Sequence, residues 1–312
     1  MSVTLIATVL ALVLGHLWPG LAAAVRQYGW YGGWLRWLDM RFAEGSFWRG
    51  RWGIGLALVP PLLGVGFFQV ALDSPLLGLG GLLFAIVVLF YTWGPRDLDV
   101  DVEAIIDAPD PLARRAAASR LWPRAGTVSL EGGALAEAVF RSALRRWFGV
   151  LFWFLLLGPF GALLYRLTQM AADGIPDDIA SETAGERRLP LENLRGARVL
   201  QAVLEWPVAQ LMTLALALVG NFDSVLGAWR SAGGASFRLD SRFLGPVARA
   251  SVNSELAEEA ADYAGEGNHP DADEIPSVAD LPELRDAMSQ IWRSLLVWLA
   301  TLALFVIAGF VN

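Results

Sequence analysis

Residues 52–72 read WGIGLALVPPLLGVGFFQVAL, and residues 76–93 follow as LLGLGGLLFAIVVLFYTW after the turn Asp73-Ser74-Pro75. Neither run contains a charged side chain. A helix needs roughly 20 mostly apolar residues to cross a bilayer, because the hydrocarbon core is about 30 Å thick and each residue rises about 1.5 Å. Two such runs joined by so short a connection predict a pair of adjacent membrane helices. Four further apolar stretches lie outward from this pair, at 2–24, 147–172, 199–222 and 291–311. The expected fold is all-α: a polytopic membrane helical bundle of about five to six membrane segments with cytoplasmic helical loops. Residues 1–312 are expected to form a single integral membrane domain.

Composition agrees. Of the 312 residues 55% are hydrophobic, and the mean hydropathy is +0.47. The 14 Trp suit the aromatic belt of a membrane interface. Segment 2–24 has no positive region ahead of its apolar run, which argues against a cleaved signal peptide. His16 and Pro19 weaken its end, so it reads as an anchor that tilts or stops short.

The connections suggest orientation. Arg26, Arg36, Arg41, Arg49 and Arg51 outnumber Asp39 and Glu44 in 25–51, and eight Arg lie in 94–146. Positive loops stay in the cytoplasm, so both segments are expected there, with the 73–75 turn outside. Within 30–48, Trp30, Tyr31, Trp34, Trp37, Phe42 and Trp48 alternate with Arg. This predicts an interfacial helix on the inner leaflet, with Trp34, Trp37 and Leu38 on one face. Residues 264–280 are acidic, contain Gly and Pro and lack periodicity, as a linker does. Helices are expected on either side, over Ser254 to Tyr263 and from Leu281 into the last span.

Segments 147–172 and 199–222 differ from the plain spans. The first is interrupted by Gly158-Pro159 and carries Arg166; the second contains Gln201, Glu205, Pro207 and Gln210. Such groups at membrane depth imply helices that face protein or a polar cavity rather than lipid. Glu205 is the sharpest candidate, with Arg166 as its expected partner, and reads either as a functional ionisable group or as half of a structural ion pair. Glu137, Arg141 and Arg145 recur at i, i+4 and i+8, and Arg145-Arg146 stand at the mouth of 147–172. They read as a surface pair with interfacial anchors, or as an anion pocket. The ligand-binding candidates are therefore Glu137, Arg141, Arg145, Arg146, Arg166, Glu205 and Gln210.

Asp97, Asp99, Asp101 and Glu103 alternate with apolar residues. This predicts a short strand or extended linker with a solvated face, and as an alternative a weak Mg²⁺ or Ca²⁺ site. Asp110-Pro111 predicts a helix start, with Asp as N-cap and Pro at the first position. Arg114, Arg115, Arg120 and Arg124 read as juxtamembrane cations that meet lipid or solvent, with phosphate binding as the alternative. His269 with Asp271, Asp273 and Glu274 reads as part of the acidic linker.

Several chemistries are excluded. The chain has no Cys and two His, which removes thiol nucleophiles, Cys zinc sites and multi-His metal centres. All 24 basic residues are Arg, which removes Schiff-base chemistry and the P-loop Lys. A net charge of −7 argues against a nucleic-acid partner. No cofactor is expected.

LFWFLLLGPFGALLYRL (151–167), VLEWPVAQLMTLALALVGNFDSVLGAWR (203–230) and GPRDL (94–98) resemble the AmpE family of bacterial inner-membrane proteins. That resemblance implies a regulatory role in β-lactamase induction, linked to peptidoglycan recycling and to a cytoplasmic anhydro-muropeptide amidase. The AmpE family is itself similar to the membrane amide synthase of cobalamin assembly, the CobD/CbiB family, which works with ATP. Glu137 matches the first acid of that enzyme's pattern. The later acidic and amide positions fall on Arg141, Ser142 and Arg145, and Gln210 stands where the enzyme has Arg. The resemblance thus implies a retained scaffold with most catalytic carboxylates lost, and a regulator rather than an enzyme. An amide ligase and a cell-wall-fragment permease are the alternatives.

Overall fold

The computed structural model describes residues 2–17, 24–43, 45–72, 78–94, 97–122, 128–173, 190–236, 238–265 and 281–308. Among them the regular structure is entirely helical. The helices are α1 (Ser2–Leu17), α2 (Gly29–Arg41), α3 (Ile54–Leu72), α4 (Gly78–Thr92), α5 (Leu98–Ile106), α6 (Pro111–Ala118), α7 (Gly132–Ala143), α8 (Gly149–Asp173), α9 (Leu191–Val219), α10 (Phe222–Ser231), α11 (Leu244–Gly265) and α12 (Pro282–Ile307). A π-helical turn, Leu144–Phe148, joins α7 to α8. Four stretches are long and apolar enough to cross a membrane: Ile54–Leu72, Gly132–Asp173, Leu191–Val219 and Pro282–Leu304. The other two expected spans contain shorter apolar helices, Leu5–Gly15 and Leu79–Thr92.

The chain packs as two compact units. The first comprises Met1–Pro95, Arg145–Leu204 and Ala303–Asn312, and the second Arg96–Leu144 and Glu205–Leu302.

In the first unit α3 and α4 are consecutive and in contact, and α8 packs on both. Ala7 and Ala11, four residues apart on α1, are buried beside Ala85 and Leu89 of α4. Small residues at that spacing let two helix backbones approach closely. Three of the helices contain internal proline: Pro60 and Pro61 in α3, Pro159 in α8 and Pro207 in α9. Proline has no N–H to give the carbonyl four residues before it. Pro61 deprives the Ala57 carbonyl, and the Trp34 indole N–H from α2 donates to that oxygen at 3.1 Å.

The deepest irregularity is in α8. Gly158 adopts φ 68°, ψ −154°, a region open essentially only to glycine. Residues on either side of it meet. The Gly149 backbone lies so close to the Tyr165 ring that a Cβ there would sit 2.2 Å from Cζ. Arg166 donates to the Arg146 carbonyl at 3.3 Å, and Arg145 pairs with Asp173 at 3.1 Å. On one straight helix the 16 residues from Gly149 to Tyr165 would span about 24 Å. The helix therefore doubles back at Gly158, with limbs 149–157 and 159–173 side by side and both ends at one mouth. The expected single interrupted helix over 147–172 is corrected to a helical hairpin. Reversal leaves backbone groups open at the tip, and the Gln69 side chain of α3 closes them. Its amide N–H donates to the Leu157 carbonyl at 3.1 Å, while its carbonyl oxygen accepts from the Phe160 N–H at 2.9 Å.

In the second unit α7 packs on α11, α11 on α10, and α5 on α6 and α7. Asp110 caps α6 as expected, its Oδ1 accepting from the Ala113 N–H at 2.7 Å. The expected strand over Asp97–Glu103 is instead part of α5. Leu98, Val102 and Ile105 are buried at helical spacing, while acids in a first turn favour the positive helix end. The helix disperses the carboxylates: Asp101 is buried, and Asp99 accepts from the Trp292 indole at 3.0 Å. The expected helices on either side of the acidic linker are present as α11 and α12. His269, Asp271, Asp273 and Glu274 lie outside the described residues.

Replacing Gln69 with Leu is expected to cost about 1–3 kcal/mol for each of the two groups it leaves without a partner at the apolar tip, the Phe160 N–H and the Leu157 carbonyl. Gly158→Ala is expected to destabilise further through backbone strain and a Cβ 2.9 Å from the Gln69 amide nitrogen. Melting curves of purified protein in detergent measure both. Wild-type melting of Q69L would show that the amide does not hold the tip.

Candidate functional site

The mouth of the hairpin is where charge collects in the first unit. α4 ends there, and the last carbonyls of a helix have no partner within it. Three side chains supply donors. Arg26 gives Nε to the Phe90 carbonyl and Nη1 to the Gly94 carbonyl, both at 3.0 Å. The Tyr28 hydroxyl donates to the Tyr91 carbonyl at 2.5 Å. Arg166 Nε donates to the Thr92 carbonyl at 2.7 Å. Cations at a helix C-terminus are also favoured by its dipole. Burial holds the Tyr28 phenol above its ordinary range, so it stays protonated and can donate.

Arg166 is 1% exposed. Its remaining donors reach the Gln169 side chain and the Arg146 carbonyl. The acceptor at Arg146 lies in the π turn, where carbonyls leave the ordinary i→i+4 ladder. The guanidinium thus fastens three pieces of backbone and side chain with neutral acceptors, where the sequence led us to expect Glu205. Beside it Arg145 and Asp173 form an ion pair, 20% and 19% exposed, and Gln201 of α9 approaches Asp173 at 3.5 Å. α9 enters at this same end. Asn193 donates to the Trp48 carbonyl at 3.1 Å, and the Gly196 backbone lies so close to the Arg51 carbonyl that a Cβ would be 2.0 Å away. Farther along α9, the Trp153 indole donates to the Leu204 carbonyl at 3.0 Å.

The other candidates lie in the second unit. Glu137 pairs with Arg249 at 2.6 Å, which replaces the expected i+4 pairing with Arg141. Arg141 is half-buried on α7. The face expected to run on to Arg145 is lost, because the π turn shifts the helical phase. Glu205 is buried and accepts from the Ser241 hydroxyl at 3.1 Å. Gln210 is a structural staple: it donates to the Gly234 carbonyl and accepts from the Trp229 indole, each at 2.9 Å. The weak metal candidates Asp97, Asp99 and Asp101 do not converge, and no group of three metal-ligating side chains lies among the described residues.

Residue-type reasoning missed Gln69, Gln169 and Asp173, and read Arg26 only as a loop cation and Gln201 only as an inward-facing polar group. One signal was available for Gln69: a lone amide in an otherwise uncharged span, in a chain whose other apolar run breaks at Gly-Pro. No known family model, curated protein or solved structure matches the chain. The AmpE resemblance therefore rests on the stretches quoted above.

Arg145→Ala and Asp173→Asn are each expected to lower stability, and the double variant to lose less than the sum. A coupling of about 1 kcal/mol is expected for a pair exposed to this degree. Chemical denaturation of the four proteins measures it. Strict additivity would mean that the pair does not close the mouth.

Proposed function

We propose that this chain is a multi-pass protein of the bacterial inner membrane and acts as an AmpE-type regulator, linked to β-lactamase induction and peptidoglycan-recycling sensing. The observation that carries the reading is the re-entrant hairpin of α8, whose mouth gathers Arg145, Arg146 and Arg166 beside Asp173. Non-helical backbone at membrane depth is tolerated where it is enclosed by protein or lines a cavity. The cationic mouth at the other end of the limbs suits an anionic ligand such as a muropeptide, or the docking of a cytoplasmic anhydro-muropeptide amidase. The loss of the amide synthase's carboxylates at Arg141 and Arg145 favours regulation over ligase chemistry.

The orientation follows from the positive-inside rule. Segments 25–51 and 94–146 face the cytoplasm, and the hairpin opens on that side. The C-terminal end of α8 and the start of α9 are then on the cytoplasmic side, since α8 returns to its own mouth and α9 starts beside Trp48 and Arg51.

Broken helices also build the substrate sites of secondary transporters, and this favours a cell-wall-fragment permease as the second reading. Uptake of labelled muropeptide into proteoliposomes separates the two.

Arg145→Ala with Arg146→Ala is expected to abolish the β-lactamase-induction response at unchanged protein level. Full induction in that variant would remove the mouth from the mechanism. The absence of native Cys makes topology directly testable with single cysteines. Sites near 130 and 185 are expected to label from the cytoplasmic side. A site near 185 that labels only from outside would overturn the re-entrant topology.

A further inference from the structure

Helix α2 lies across the end of the α3–α4 pair rather than beside it. Trp34 reaches the Ala57 carbonyl near the start of α3, while Tyr28 and Trp30 reach the Tyr91 carbonyl and hydroxyl at the end of α4. Its inward face is buried through Tyr31 and Leu38, with Trp34, Leu35 and Phe42 packed partly against the core. An ordinary surface helix would be polar on its outward face. Here Trp30, Gly33, Trp37 and Met40 recur outward at i, i+3, i+7 and i+10. Trp37 and Met40 are exposed, and a Cβ at Gly33 would meet open space.

The pattern continues through the next turns. Phe47 is 66% and Trp52 73% exposed, two residues before α3 begins. Among the described residues the fully exposed charges around this surface are cationic. Asp39 is engaged by Arg49 at 3.2 Å, whereas Arg36, Arg41 and Arg51 are exposed. An outward aromatic face flanked by exposed Arg, at the common end of two apolar helices, has the chemistry of the headgroup layer of an anionic bilayer.

We infer that α2 and residues 45–52 form an interfacial platform that seats Trp37, Phe47 and Trp52 in the bilayer surface and gathers anionic lipid headgroups with Arg36, Arg41 and Arg51. The inference rests on the membrane reading above. It adds a lipid-binding surface distinct from the hairpin mouth and makes the protein sensitive to lipid charge. α2 also carries Trp34 and, through its first turn, the contacts to Tyr91. Headgroup binding would therefore bear on the ends of α3 and α4.

The test uses the full chain with single cysteines at Trp37→Cys, Phe47→Cys and Trp52→Cys, each labelled with a fluorophore and placed in nanodiscs. A fourth label at Leu63→Cys, exposed in the middle of α3, reports on the membrane reading itself. Nitroxide lipids are the probes: headgroup-labelled phosphatidylglycerol, headgroup-labelled phosphatidylcholine and a mid-chain-labelled lipid.

The platform labels are expected to be quenched by headgroup nitroxide, about twofold more by phosphatidylglycerol than by phosphatidylcholine. Replacing Arg36, Arg41 and Arg51 with Gln is expected to erase that preference while leaving basal quenching. If the Leu63 site is quenched at mid-chain depth but the platform sites respond only to aqueous iodide, the platform inference fails and the membrane reading survives. Protection of the platform from both lipid and iodide would assign the surface to a protein partner and overturn the inference. A Leu63 site open to iodide would overturn the membrane reading, and the platform with it.

Discussion

The amide of Gln69 closes one carbonyl and one N–H at the tip of the α8 hairpin, and much of the first unit depends on that closure. In an apolar layer no water completes an interrupted hydrogen-bond ladder, and each orphaned group costs several kcal/mol. A chain reversal at Gly158-Pro159 is tolerable there only if one side chain offers a donor and an acceptor at once. Among uncharged side chains of sufficient reach, Asn and Gln offer both in one plane. The reversal in turn brings Arg145 to Asp173 and Arg166 to the Arg146 carbonyl. The polar mouth is thus a geometric consequence of the tip.

The same constraint explains polar groups that first read as chemistry. Trp34 replaces the donor that Pro61 cannot give to Ala57. Arg26 and Arg166 serve the open end of α4, and Gln210 fastens the turn after α10 through Gly234 and Trp229. An ionisable residue at membrane depth is a functional hypothesis by default. Here the default yields at Arg166, because its acceptors are neutral and two of the three are backbone carbonyls. A guanidinium suits this work, since its planar fork distributes five donors. Its charge also meets the negative end of the α4 dipole.

Helix identity was legible wherever apolar residues ran uninterrupted or recurred with helical period, as in 52–72 and in the described part of 291–311. Asp110-Pro111 gave the start of α6 because capping is a local signal. The acids at 97–103 misled, since their alternation looked like a strand while the deciding residues were Leu98, Val102 and Ile105. The hairpin was half-legible. Gly158-Pro159 marks a break in any reading, but a break does not specify how far the chain turns. That angle is settled by Gln69, which lies 89 positions earlier in the sequence, and by glycine at 149, which admits the Tyr165 ring. The pairings of Glu137 with Arg249 and of Arg145 with Asp173 were illegible for the same reason. Each joins residues far apart in sequence, whereas charge spacing reports only neighbours on one helix.

The hairpin also accounts for the length of the Gly132–Asp173 stretch. Its 42 residues would make a straight helix of about 63 Å, twice what a bilayer needs. Folding back at Gly158 divides the hydrophobic part into limbs of 9 and 15 residues. Limbs that short cannot each cross alone, and they need enclosure to satisfy a tip inside the apolar layer. α3 and α4 provide it, one through Gln69 and the other through the Thr92 carbonyl. Enclosure fixes where variation is tolerable: the exposed Leu156 and Leu157 near the tip can exchange for other apolar residues. Gly149, Gly158 and Gly161 cannot, since a Cβ at each would meet another atom within 3 Å. The three glycines and Gln69 are therefore the residues by which a related hairpin would be recognised in another chain, more reliably than the arginines that first drew attention to it.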